Sequence, residues 1–176
     1  MDGLTIALDT REKYGWRFAG REVSIEHRAL PGGDYAAIAN GEVIAVVERK
    51  TLADLATSLS TGSLAFQMER LAESARAAVV VEGEYTDLFR TQPGRGSWLA
   101  DMLGRLAARY PEVPVISASS RKFAEEWTYR FFGAGISDSG AQAQRVELRP
   151  GSEQVIRQRK AGASTPESRR RASPDS

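Results

Sequence analysis

Two acids and a lysine set the chemistry of this chain. Asp34 follows Gly32-Gly33, Glu48 and Lys50 flank Arg49, and Asp54 stands four residues further on. Acid, acid and lysine in that order are the parts needed to hold a divalent cation and to aim a water at a phosphate. Asp9-Thr10-Arg11-Glu12, at the end of another apparent strand, adds two more carboxylates. Asp34 and Glu48 are the first-choice metal ligands, with Asp9 and Glu12 the next candidates. Lys50 lies two residues after Glu48, so on a strand both side chains project to one face. Its ammonium is then placed to orient the attacking water or to offset developing phosphate charge. The donors have to be oxygens. There is no cysteine, and His27 is the only histidine, which excludes thiolate and histidine-rich metal sites. Oxygen donors suit Mg²⁺ or Mn²⁺.

The elements that position these residues alternate between strand and helix. Leu4 to Leu8 reads as a buried strand ending at Asp9, and Glu22 to Arg28 as a second strand. Tyr35 to Ala39 and Glu42 to Val47 flank Asn40-Gly41, a two-residue hairpin signal. Val43 to Val47 is apolar on both faces, as in a covered central strand. Leu52, Leu55, Ala56 and Leu59 repeat at helical spacing behind Thr51 as N-cap. Gly62 breaks that helix, and Leu64, Met68, Leu71, Ala72 and Ala75 form the stripe of a second. Ala78 to Val81 reads as a strand, Trp98 to Tyr110 as a helix, Val113 to Ile116 as a strand and Ser120 to Phe132 as a helix. This alternation predicts an α/β domain with helices on both faces of a mixed sheet.

One geometric condition follows. In an unbroken hairpin centred on Asn40-Gly41, Asp34 faces Val47 and Glu48 faces Gly33, so the two carboxylates point to opposite faces. A shared site requires a bulge or bend, expected at Gly32-Gly33.

With 176 residues, 41% of them hydrophobic, the chain suits one domain with a normal core and a tail. The expected division is a catalytic domain over residues 1–135, an extension over 136–156 and a basic tail over 157–176. That tail carries six basic residues against Glu167 and Asp175, within a chain of net charge +1. Its Ser/Pro/Arg-rich composition predicts disorder. Basic charge there can attract phosphates without sequence preference, or simply remain solvated. No membrane-length apolar run or signal-peptide pattern is visible, so a cytoplasmic location in a bacterium or phage is expected.

The spacing Gly33-Asp34…Glu48-Arg49-Lys50-x-x-x-Asp54 resembles the signature of the XPF-type structure-specific nuclease domain, within the restriction-endonuclease-like superfamily. Asp9-x-Arg11-Glu12, Ser58 four residues past Asp54, and Gln67-x-x-Arg70 are similar to further family motifs, and the resemblance runs from about Leu4 to about Phe132. It implies a three-layer α/β/α fold around a mixed sheet. It also implies metal ligation by Asp9, Asp34 and Glu48, with help from the Arg49 carbonyl, and a catalytic Lys50. Glu12, Arg11 and Asp54 would complete the site, while Ser58, Gln67 and Arg70 would support it or touch DNA. The implied activity is Mg²⁺- or Mn²⁺-dependent cleavage of branched DNA such as flaps, forks or junctions, in repair or recombination. The implied partners are DNA and a homodimer mate or a protein supplying DNA-binding repeats. Many relatives carry helix-hairpin-helix repeats after the nuclease domain; here only Gly133-Ala134-Gly135 and polar sequence follow. Ser63 stands where a basic residue is common.

Each motif also has a plainer reading. Asp34 can be a turn residue, Glu48-Arg49-Lys50 a solvated strand end and Asp54 a first-turn helix acid. Gln67 and Arg70 can be a surface pair, and His27 is expected to be structural or exposed. Phe123, Trp127 and Phe131 share a helical face that suits core packing or a dimer interface. Arg95, Arg121 and Lys122 can touch phosphates or water. At the level of function, the alternatives are a non-catalytic DNA-binding scaffold subunit and a restriction-like or junction-resolving endonuclease.

Overall fold

The computed structural model describes residues 4–147, with side chains to 140. The 157–176 tail lies outside the described residues, as does the 148–156 part of the 136–156 extension. The strands are β1 (Leu4–Asp9), β2 (Val23–Arg28), β3 (Tyr35–Ala39), β4 (Glu42–Thr51), β5 (Ala77–Glu82) and β6 (Val115–Ala118). The helices are α1 (Leu52–Thr61), α2 (Ser63–Leu71), α3 (Tyr85–Thr91), α4 (Gly96–Arg109) and α5 (Arg121–Glu147). The strands form one mixed sheet in the order β2-β1-β3-β4-β5-β6. β1/β2, β4/β5 and β5/β6 are parallel, while β3 is antiparallel to both β1 and β4. Among the described residues, no helix is long and apolar enough to cross a membrane.

Side-chain alternation divides the core into two. Ala36, Val46, Val79 and Val81 pack under Leu55, Leu59, Leu64, Met68, Leu88 and Leu99 of the first four helices. Their neighbours Tyr35, Ala37, Ala45, Val47, Ala78 and Val80 pack on the opposite face with Trp16, Phe18, Ala124 and Phe132. A strand apolar on both faces must be covered on both, and the result is the expected α/β/α arrangement.

The hairpin turn forms as its residues require. Ala39 pairs with Glu42, and Asn40 (φ 53°) and Gly41 (φ 80°) take the two left-handed positions of a type I′ turn. The register then slips. Ile38 opposes Val43 but Ala37 opposes Ala45, leaving Ile44 as an extra residue in β4. The bulge therefore lies at Ile44, not at Gly32-Gly33. Gly135 of α5 packs against it: a Cβ there would stand 3.5 Å from the Ala45 Cβ. Gly33 makes a separate bend at φ 74°, where a Cβ would lie 2.3 Å from Val46 Cγ1.

Thr51 caps α1, its side chain accepting the Asp54 N–H, and Gly62 ends that helix in the left-handed region. Three elements depart from expectation. α3 is a helix that the sequence reading left out; it is short, with one buried residue, Leu88, and Tyr85 packed partly buried beside it. β6 begins two residues later than Val113, which is buried ahead of it. α5 continues through Gly133 and Gly135 to Glu147. Its core face is Ala124, Thr128 and Phe132, while Phe123 is half exposed and Trp127 stacks on Phe131 at 5.0 Å on the partly buried flank. His27 lies exposed on edge strand β2.

Candidate active site

The slip at Ile44 satisfies the condition set by the sequence. The register ends with Tyr35 opposite Val47, the Asp34 N–H donates to the Val47 carbonyl at 2.8 Å, and Asp34 and Glu48 line one cleft beside α2. Lys50, two residues past Glu48, projects to the same side of β4, and its ammonium lies 2.7 Å from Glu48 Oε1. Both residues are buried. Gln67 of α2 donates its amide to the same Glu48 oxygen at 2.7 Å. Asp34 Oδ2 accepts the Arg49 N–H at 2.8 Å. A cleft of about 240 Å³ opens above the carboxylates, lined by Asp34, Glu48, Gln67, Gly32 and Gly33, with Arg11 and Arg70 at its edge.

Electrostatics distinguish these acids. Burial pushes the Asp34 carboxyl up to about 7, and the neighbouring Glu48 charge adds to the rise. Asp9 is the reverse case. The Arg11 guanidinium holds its carboxyl down at about 2, helped by the Leu30 and Arg11 N–H groups. Its Oδ1 accepts from Arg11 Nε at 2.6 Å and from the Arg11 N–H at 2.9 Å. Its Oδ2 accepts from Arg11 Nη2 at 3.0 Å and from the Leu30 N–H at 2.7 Å.

Glu12 sits beside the pair and raises the Asp34 carboxyl further. It accepts the Tyr14 N–H at 2.8 Å and stands 3.5 Å from Arg49 Nη1. Arg49 itself is gripped by a residue that the sequence reading missed. Glu82, at the end of β5, accepts from Arg49 Nε at 2.8 Å and Nη2 at 3.0 Å. Trp16 Nε1 donates to Glu82 at 2.7 Å. Burial would raise the Glu82 carboxyl, but these bonds outweigh it and hold it below the ordinary range. An acid at the end of an apolar strand was the only sequence signal available for this clamp.

Two candidates take other positions. Asp54 bonds Thr51 Oγ1 through its carboxylate and its N–H, serving the α1 cap. Ser58 Oγ donates back to the Asp54 carbonyl at 2.6 Å. Neither lines the cleft. Arg121 donates to the Tyr14 and Gly15 carbonyls, and Arg95 lies 4.1 Å over the Trp98 ring.

Among the described residues, no three His, Cys, Asp or Glu side chains gather around one point as a metal cage. The donor set nonetheless fits a hard cation that keeps most of its waters. Asp34 and Glu48 each retain an oxygen outside the bonds just described. Gln67 Oε1 is buried without a hydrogen-bond partner. Burial first, and the Glu48 charge second, push the Asp34 carboxyl up, while the nearby Lys50 ammonium offsets part of that rise.

The fold and this carboxylate pair place the domain in the restriction-endonuclease-like class of α/β/α proteins. The ERCC4 domain family matches residues 8–131, and the chain belongs to that family, whose nuclease domain is of the XPF type. Two solved structures are similar to it. XPF from Aeropyrum pernix in complex with DNA aligns at 25% identity and TM-score 0.64, over 77% of this chain and 66% of that one. XPF from Aeropyrum pernix without DNA aligns at 22% identity and TM-score 0.59, over 97% of this chain and 69% of that one. The chain thus spans about two thirds of the length of these structures. No curated protein matches it.

Proposed function

We propose that this domain is a Mg²⁺- or Mn²⁺-dependent DNA endonuclease acting on branched DNA such as flaps, forks or junctions, in repair or recombination. One observation carries the reading: Asp34 and Glu48 line one cleft, where Lys50 and Gln67 converge on Glu48. Asp34 and Glu48 would hold the cation, which when bound lowers the pKa of the attacking water and polarises the phosphoryl oxygen. Water oxygen bonds to phosphorus, the bridging P–O bond breaks, and the departing oxygen takes up a proton. Lys50, fixed against Glu48, offsets negative charge building on the phosphate. Gln67 fixes Glu48, and the Arg49 N–H fixes Asp34. Arg11 and Arg70 at the cleft edge suit the flanking phosphates.

The similarity to an XPF bound to DNA supports DNA as the partner. A homodimer mate or a second protein would complete the assembly, in the cytoplasm of a bacterium or phage-infected cell. The test is cleavage of labelled duplex, flap, fork and single-stranded DNA with Mg²⁺, Mn²⁺ or EDTA, comparing wild type with Glu48→Ala and Lys50→Ala. Metal-dependent cutting that both variants lose is expected. Binding to branched DNA with no cutting under any metal would replace the enzyme by a scaffold.

A further inference from the structure

We propose that Glu82 is a positioning residue of the active site: from the opposite face of the sheet it grips Arg49 and so fixes the part of β4 that carries Glu48 and Lys50. The proposal rests on the nuclease reading above and names what holds its site in shape. β4 outruns its antiparallel neighbour. The β3 register ends at Tyr35 and Val47, while β5 follows β4 on to Thr51. Glu48, Arg49 and Lys50 are therefore laddered on the β5 side. On the β3 side the Arg49 N–H meets the Asp34 carboxylate at 2.8 Å. That bond is one pin for a segment whose acid and ammonium have to hold their geometry to within about 0.5 Å.

The Arg49 side chain supplies a second pin. Side chains alternate along a strand, so it leaves the face opposite Glu48 and Lys50. Its guanidinium carbon lies 5.9 Å from the centre of the Trp16 ring. Glu82 accepts from Nε at 2.8 Å and from Nη2 at 3.0 Å, a two-point grip that sets direction as well as distance. Nη1 reaches the Tyr14 carbonyl at 3.4 Å and Glu12 at 3.5 Å. Glu82 is held in turn from two further segments, by the Trp16 indole N–H at 2.7 Å and by Arg121 of α5 at 3.7 Å. Both members of the pair are nearly closed to water, at 12% and 11% exposure. Such an ion pair adds little net stability, because well-packed apolar side chains of similar volume serve as well or better. What the two-point grip does supply is a fixed direction for the Arg49 peptide, and with it for the carboxylate and the ammonium on either side.

The test uses the full chain on the DNA that wild type cuts, at saturating Mg²⁺ and at a temperature where every variant is folded. Amide hydrogen exchange is followed by NMR in EDTA. Glu82→Gln should lower kcat about 10- to 100-fold, with KM within about 2-fold of wild type. In EDTA its Arg49 amide should exchange about 10-fold faster, while the Ala36 and Ala78 amides at the centre of the sheet keep wild-type protection. Trp16→Phe keeps the ring that stacks on Tyr35 and removes only the indole donor, so it should act in the same direction by a smaller factor. Arg49→Lys keeps the charge but loses the fork. Combined with Glu82→Gln it should be no slower than the slower single variant, because both remove one interaction. Wild-type kcat in Glu82→Gln, or additive losses in the double variant, would overturn the clamp. So would sheet-centre amides that exchange faster in step with Arg49, since Glu82 would then serve the fold as a whole. If Glu82→Gln does not fold, Trp16→Phe decides by the same two readouts. The two readings fail separately. No cutting by wild type under any metal, with Arg49 exchange still quickened in Glu82→Gln, sinks the nuclease alone; cutting by wild type that Glu82→Gln leaves unimpaired sinks the clamp alone.

Discussion

Asp9 and Asp34 are adjacent in space, the N–H of Asp9 donating to the Asp34 carbonyl at 2.9 Å, yet their carboxylates live in opposite environments. Asp9 accepts four hydrogen bonds and is held at about 2. Asp34 accepts one, faces Glu48 and is pushed up to about 7. The first arrangement ties Leu30 and Arg11 to the end of β1. The second stores electrostatic free energy that a cation or proton releases. Strongly perturbed acids facing a cleft mark functional sites, and between these two neighbours it is Asp34 that carries the perturbation outward.

The comparison can be broken most directly through activity. Glu48→Gln or Lys50→Ala should lower kcat by about 10³-fold, roughly 4 kcal/mol of barrier, and, because each leaves the other member of a buried pair without its counter-charge, should also lower the melting temperature. A variant of either kind that still cuts at the wild-type rate would move the chemistry elsewhere. Asp9→Ala should act on stability first. It leaves the buried Leu30 N–H without its acceptor and releases Arg11, a loss of about 2–3 kcal/mol, visible in urea denaturation. If Asp9→Ala instead unfolds at the wild-type urea concentration while losing metal affinity by calorimetry, Asp9 leaves its four bonds to become a ligand, and the contrast drawn here fails. Arg11→Ala should sharpen the same point. Stability that Asp9 contributes is present above its unfolded value near 3.8 and is lost as pH falls toward about 2. Without the Arg11 guanidinium the folded value rises toward 3.8, so that acid limb should shrink and level off at a higher pH in thermal melts.

The parts legible in the sequence are those with a local cause. Asn40-Gly41 announces its turn because few other residues accept two left-handed positions, and Thr51 and Gly62 bound α1 by capping chemistry. The need for a register slip was also legible, since a period of two makes Asp34 and Glu48 incompatible in a regular ladder. Its position was not. Val43 to Val47 is uniformly apolar, so no residue marks where the extra one falls, and the α5 glycine beside the bulge, Gly135, is far away in the chain. α3 escaped because it buries only Leu88. Gln67 and Arg70 entered through family likeness and not from spacing, because i, i+3 polar pairs are common on solvent faces. Glu82 escaped because its partners, Arg49 and Trp16, are 33 and 66 residues away.

The smallest expected effect tests the stored energy itself. Asp34 has its carboxyl raised from 3.8 to about 7. The folded state therefore binds the extra proton between those values, and stability should fall as pH rises through that window, with the whole penalty present above about 7. Asp34→Asn removes the ionisable group while keeping an acceptor for the Arg49 N–H. At pH 8 in EDTA the variant should be more stable than wild type by about 1–2 kcal/mol, allowing for partial solvent access. At pH 4 the two should melt together. Adding Mg²⁺ should raise the wild-type melting temperature and leave Asp34→Asn nearly unmoved, since a ligand stabilises only the state that binds it. Asn less stable than Asp at pH 8 would mean that Asp34 is satisfied by groups already in place, as Asp9 is, and that the cleft holds no electrostatic demand for a cation.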